Sequence, residues 1–218
     1  MNTPSIVVVT AGLGEPSTTA LLGKNLSEAT AQALAAAGVE ASFIHISLRS
    51  LAKDITNHYL TGFPLGALAT ALDQVREADA LIVVTPVFKA SYSGLFKSFW
   101  DLVEDGSLAG KPVLIAATGG TARHSLMLET AMRPLFSYLK ATVAPSGVFA
   151  ATDDFGSDAN LAPRVAKAAA EFAQLVLWTL GAAATAGQAP AAAYKAPGLE
   201  ALTVTPFEEL LKRNTPSA

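Results

Sequence analysis

Two regimes of hydrophobic patterning alternate along this chain. Short unbroken apolar runs, Ile6 to Val9, Leu81 to Val84 and Val113 to Ala116, are separated by longer stretches where apolar residues recur every three or four positions. A run without polar alternation fits a strand covered on both faces, and so a parallel sheet between two helical layers. Strands are predicted at 6–10, 41–46, 80–85, 113–117 and 147–149, and helices at 17–37, 66–77, 92–104, 124–139 and 158–180. The first helix has an apolar stripe of Leu22, Leu26, Ala29, Ala33 and Ala37 and stops at Gly38. The third is apolar nearly all round, with Leu95, Phe96, Phe99, Trp100, Leu102 and Val103, which calls for a central position or a subunit contact.

Strands that alternate with helices imply right-handed crossovers. Five of them give a doubly wound α/β fold, a flavodoxin-like three-layer α/β/α sheet of order 2-1-3-4-5. In such a sheet the ligand crevice opens at the carboxyl ends of the strands where the order reverses. This domain is expected to occupy residues 1–181. After Gly181 the composition shifts to Ala, Gly and Pro, so residues 182–218 are expected to be an extension of low structural content. It ends in Thr205-Pro206-Phe207-Glu208, where an N-cap, a first-turn proline and a capping-box glutamate predict a short helix.

Composition narrows the chemistry. The 218 residues carry 15 basic and 18 acidic side chains, a net charge of −3, which gives no footprint for nucleic acid or an acidic membrane surface. The absence of cysteine removes disulfides, thiolate metal sites and a thiol nucleophile, and the three histidines lack metal-ligand spacing, so no metal is expected. The uncharged segment from Phe172 to Tyr194 is interrupted by Gly181, Gly187 and Pro190. Its start continues an amphipathic helix marked by Arg164, Lys167, Glu171 and Gln174, so no membrane span is expected. A cytoplasmic soluble protein is the simplest expectation.

Three loops follow predicted strands at the carboxyl edge. The first, Ala11 to Thr19, has two glycines of a dinucleotide fingerprint but Ser17 in place of the third, and no Walker lysine. It offers Ser17, Thr18 and Thr19 at a helix N-terminus, where hydroxyls, free N–H groups and the dipole favour a phosphate. Plain N-capping by Ser17 would explain that residue alone. Glu15 would repel such a ligand unless it points away. The second loop, from Thr85 through Pro86, Val87, Phe88, Lys89, Ala90 and Ser91 to Lys97, is stripped of bulk just past a buried strand, which lets a flat ligand approach the backbone. Its bland explanation is a turn with Ser91 as helix cap. The third loop contains Thr118, Gly119, Gly120, Thr121, Arg123 and His124. Its glycines expose N–H groups, while Arg123 could meet a phosphate or be an ordinary solvated charge, and His124 could simply cap the next helix. Asp153-Asp154 reads as solvated polarity. No nucleophile-and-base constellation is present. A phosphate site beside two flat, backbone-lined walls suits a flavin mononucleotide.

The segments Pro86 to Lys97, Thr118-Gly119-Gly120-Thr121 with His124, and Gly147-Val148-Phe149-Ala150, together with the loop before Ser17-Thr18-Thr19, resemble the NAD(P)H-dependent FMN reductases. The likeness covers about residues 5 to 150 and is nearest to reductases of two-component flavin monooxygenase systems, the alkanesulfonate type included. It implies FMN and NAD(P)H as cofactors and hydride transfer from nicotinamide C4 to flavin N5, with no catalytic side chain required. It also implies delivery of reduced flavin to a partner monooxygenase and a homodimer or homotetramer. By position, Ser17, Thr18 and Thr19 would hold the phosphate, Pro86 through Ser91 the ribityl chain and ring, and Thr118 through Thr121 the pyrimidine edge. Tyr92, Arg123 and His124 are candidates for contact with the nicotinamide or another subunit. The match at Tyr92 further implies a π-bulge in the helix that starts there. The alternatives are a quinone or azo reductase with tightly bound FMN, a non-enzymatic flavodoxin-like electron carrier, and a ligand-free interaction domain.

Overall fold

The computed structural model describes residues 3–156 and 158–186. Strand β1 (Ser5–Thr10) lies between β2 (Ser42–Ser47) and β3 (Ala80–Phe88), and β5 (Pro112–Gly119) lies beyond β3, all in parallel. A two-residue strand, β4 (Ser91–Tyr92), folds back antiparallel on β3. The outer position beside β5 is shared by β6 (Thr142–Val143), at the start of β5, and β7 (Val148–Ala151), at its end. Pro145 lies between them and has no N–H for the ladder, so this strand is broken in two. The parallel positions run in the flavodoxin-like order expected, with β6 and β7 as the fifth.

Alternate residues of the central strands face opposite layers. Val7, Val9, Leu81, Val83, Val113 and Ile115 pack with α2 (Leu48–Thr61), α3 (Gly66–Glu77), α4 (Gly94–Trp100) and α5 (Arg133–Tyr138). Ile6, Val8, Ile82, Val84, Leu114 and Ala116 pack with α1 (Thr18–Ala36) and α6 (Asp158–Ala186). The central strands β1, β3 and β5 are covered on both faces, which is why they read as unbroken apolar runs.

Helix α2 was absent from the sequence prediction. Its buried Leu48, Leu51 and Ile55 recur at three and four positions, and Gly62, at φ +79°, ends it with its N–H on His58 O at 2.7 Å. The third predicted helix is shorter than 92–104, and Ser91 is not its cap. β3 runs on to Phe88, turns at Lys89 and Ala90, both with positive φ, and returns through Ser91 and Tyr92. Ser93 caps α4 instead, its Oγ accepting from the Phe96 N–H at 3.2 Å. The buried Thr85 hydroxyl fixes this geometry by accepting the Ser93 N–H and donating to Pro86 O, each at 3.0 Å.

The apolar circumference of α4 is spent largely on the core. Phe96, Phe99 and Trp100 are at most 1% exposed, and Trp100 meets Phe136 edge-on at 4.8 Å. The π-turn is also elsewhere. α4 is regular, and the π-helical turn is Leu128–Met132, leading into α5, with the Arg133 N–H bonded to Leu128 O five residues back. Pro134 has no N–H to offer the preceding turn, so the ladder there is free to widen. Thus the helix expected at 124–139 is a 3-10 turn (Ala122–His124), this π-turn and α5.

Among the described residues, no helix is long and apolar enough to cross a membrane. The helix expected from Thr205, and most of the expected extension 182–218, lie outside the described residues.

Candidate functional site

Strand register gathers the loops. The Ala11 N–H donates to Val84 O at 2.9 Å, Pro86 pairs with Thr118, and Gly119 pairs with Ala151. The segments leaving β1, β3, β5 and β7 therefore surround one cleft of about 380 Å³, an ordinary size for a small-molecule site.

The first wall is the start of α1. Ser17 is the N-cap, its Oγ accepting from the Ala20 N–H at 3.1 Å and its carbonyl from the Leu21 N–H at 3.0 Å. The N–H groups of Thr18 and Thr19 have no intrahelical acceptor. Only glycine fits at position 12, since a Cβ there would lie 2.0 Å from Ser17 Oγ and 2.9 Å from Thr19 Cβ. Glu15 is ion-paired with Arg49 and does not line the cleft, so its repulsion is neutralised locally.

Thr19 and Thr118 are 3% and 5% exposed, and their hydroxyls meet at 2.8 Å. This bond ties the first turn of α1 to the end of β5. Thr19 thus touches the cleft with a hydroxyl already partnered, whereas Ser17 is half-buried and Thr18 exposed.

Of the second loop, Pro86, Val87 and Phe88 line the cleft, with Phe88 46% exposed at its mouth. Lys89, Ala90 and Ser91 form the hairpin tip and return instead, and Tyr92 packs on Phe96 at 5.8 Å. Of the third loop, Thr118, Gly119 and Gly120 line it, while Thr121, Arg123 and His124 lie beyond, all exposed. A Cβ built at Gly120 meets nothing within 4 Å, so that backbone is open to a flat ligand. A Cβ at Gly119 would sit 2.8 Å from Phe149 Cζ.

Sequence reasoning missed Leu13, Gly14 and Pro16 on the first wall and Thr152 and Phe155 on a fourth side. The signal for the fourth side was available, because Thr152–Gly156 leaves a parallel strand at the same carboxyl edge. Nor is Asp154 merely solvated. It accepts from the Ala151 N–H at 2.8 Å and from Arg164 at 2.6 Å, and Arg164 also donates to Phe149 O at 2.6 Å. Partial burial pushes its carboxyl up, but the Ala151 N–H and the Arg164 charge outweigh this and hold it below the usual carboxylate range. None of the lining side chains is charged. The cleft suits a ligand whose anionic end meets hydroxyls and a helix N-terminus and whose flat body lies against backbone and apolar side chains.

Residues 4–156 match the family model for NADPH-dependent FMN reductase. The chain belongs to that family. It is 48% identical over 88 residues to an FMN reductase (NADPH) of Pseudomonas aeruginosa, a match covering 40% of this chain and 47% of that one. It is 45% identical over 107 residues to an NADH-dependent FMN reductase, SfnE, of Pseudomonas putida, covering 47% and 58%. The chain thus spans about half the length of these curated relatives. An oxidoreductase of Corynebacterium diphtheriae superposes with a TM-score of 0.79 at 43% identity, over 82% of this chain and 99% of that one. This FMN reductase family member therefore has the family and the fold that its sequence led one to expect.

Proposed function

We propose that this protein is an NAD(P)H-dependent FMN reductase whose cleft takes FMN as described by the loops around it. The observation that carries this reading is an uncharged cleft at the sheet's carboxyl edge, with a hydroxyl-rich helix N-terminus on one wall and open glycine backbone on another. Ser17, Thr18 and the free N–H groups of Thr18 and Thr19 would donate to the phosphate. Thr19 would act by fixing the end of β5 through Thr118. Pro86, Val87, Phe88, Gly119 and Gly120 would line the ribityl chain and ring, with Lys89 to Ser91 supporting that wall as a hairpin. When bound, the flavin supplies a ring whose N5 accepts hydride from nicotinamide C4, so the chain needs only to orient the two rings and keep water from one side.

With no cation in its lining, the cleft balances a phosphate dianion only by dipoles and hydrogen bonds, which favours exchangeable flavin and its delivery to a flavin-dependent monooxygenase. Micromolar binding corresponds to about −8 kcal/mol. Self-association into a dimer or tetramer would draw on the exposed Leu60, Phe63 and Leu65 beside the partly buried side of α4; light scattering would measure it. The same reading divides the chain into a reductase body at 1–181 and an extension at 182–218. NADPH or NADH oxidation followed at 340 nm, with and without added FMN, tests the activity. Flavin-dependent oxidation is expected; its absence with both nucleotides would refute the reading.

A further inference from the structure

Among the described residues, the guanidinium groups are held by carboxylates, with one exception. Among the described residues, Arg49 pairs with Glu15, Arg76 with Asp73, Arg133 with Glu129 and Arg164 with Asp154. Arg123 has no carboxylate partner there, and its Nε makes a long 3.5 Å contact to Thr121 Oγ1. It is exposed in the turn Ala122–His124, three residues past Gly120, where the third loop leaves the cleft. Lys89, at the hairpin tip beyond the neighbouring strand, is exposed too, with no ion pair among the described residues. Of the acids on the segments around the cleft, Glu15 and Asp154 are neutralised by arginines, and Asp153 alone has no ion pair among the described residues. The cleft lining is uncharged, and among the described residues its rim carries two unpaired cations against one unpaired acid.

That division matters for a reaction between a flat ring in the cleft and a dinucleotide. Only the nicotinamide end can stack over the cleft. The rest of the nucleotide, with its pyrophosphate and in NADPH a 2′-phosphate, must extend across the rim. A planar guanidinium with no competing carboxylate is the side chain best matched to phosphate oxygens. We propose that Arg123 holds a phosphate of the incoming nicotinamide dinucleotide and so sets nucleotide affinity. The inference rests on the reductase reading above and adds a specificity residue to it. The phosphate of FMN is not its target, because that group is assigned to the hydroxyl wall and Arg123 lies outside the lining.

The test compares wild type, R123A and R123K. For R123A the KM of the nucleotide should rise roughly tenfold, the effect of losing a charge-assisted hydrogen bond at an exposed site. Its kcat should stay within about twofold, as expected for lost binding outside the reacting atoms. R123K should recover part of the loss, and added salt should narrow the gap between wild type and R123A. Calorimetric titration of the FMN-saturated protein with NADP+ and NAD+ gives a readout independent of turnover and should show the same weakening. A loss confined to NADPH and NADP+ identifies the 2′-phosphate; an equal loss with both nucleotides identifies the pyrophosphate. Unchanged KM values in R123A beside an active wild type would overturn the inference alone. Weakened FMN binding with unchanged nucleotide affinity would overturn it as well, by moving Arg123 to the flavin. A wild type without flavin-dependent oxidation would overturn the reductase reading beneath it.

Discussion

The hydroxyl bond between Thr19 and Thr118 separates two roles that a threonine at this cleft could have. Both residues are buried, at 3% and 5% exposure, and the oxygens are 2.8 Å apart. Thr19→Val keeps the shape, breaks the bond and leaves the Thr118 hydroxyl buried without a partner; Thr118→Val does the reverse. Each single change should cost about 1–3 kcal/mol, most of it the desolvation of the orphaned group. The double variant removes both hydroxyls and should cost much less than the sum, a coupling of about 1–3 kcal/mol in the cycle. Urea unfolding of the four proteins measures this. FMN titration by flavin fluorescence then reads the function. If Thr19 acts by holding the first turn of α1 against β5, affinity should fall in the single variants and recover in the double. Additive stabilities would refute the coupling. FMN binding lost equally in T19V and the double variant, with stability recovered, would refute the positioning role and make the Thr19 hydroxyl a direct phosphate donor.

Other expectations follow from the same contacts. Ser17→Ala removes the cap on the Ala20 N–H and should cost about 1 kcal/mol of stability, with weaker FMN binding that Ser17→Thr largely restores. Ala90 sits at φ +64° with its side chain exposed. Ala90→Gly should therefore stabilise the protein by about 1 kcal/mol in thermal or urea unfolding, and a loss would mean the hairpin is not strained. The Asp154 carboxyl is held below its unfolded value, so its stabilisation is full above about pH 4 and is lost as pH falls through the lower folded value. The stability gap between wild type and Asp154→Asn should close across that acid window, and a gap that persists at the acid end would contradict the assignment.

Much of this architecture was legible because its causes are local or periodic. Unbroken apolar runs such as Leu81 to Val84 follow from burial on both faces, and Ser17 before a helical pattern marks a cap wherever it occurs. The Ser17 wall and the Gly119-Gly120 wall could be named because short polar residues and glycines past a buried strand leave backbone groups open at the sheet's carboxyl edge. Helix α2 is marked in the sequence by Leu48, Leu51 and Ile55 at three- and four-residue spacing, a short signal that adjoins the stronger strand pattern of residues 41–46.

Other features were decided by residues far apart in the chain. Nothing local says that β3 continues to Phe88. That depends on Thr85 holding the Ser93 N–H and on a hairpin through two residues at positive φ, neither of them the glycine or asparagine that marks such a turn. The apolar girth of α4 fits core or interface equally, and it is Phe136, from another helix, that gives Trp100 its place in the core. The sequence by itself determined which strands are buried and which helix end offers hydroxyls at a strand's carboxyl edge. Tertiary structure decided that Thr19 is partnered across 99 positions, that Thr152 and Phe155 form a fourth side, and that Arg123 is without a carboxylate among the described residues. The physical reason is the same in each case: periodicity and capping are set within one turn or strand, whereas pairing and burial depend on which segments the sheet brings together.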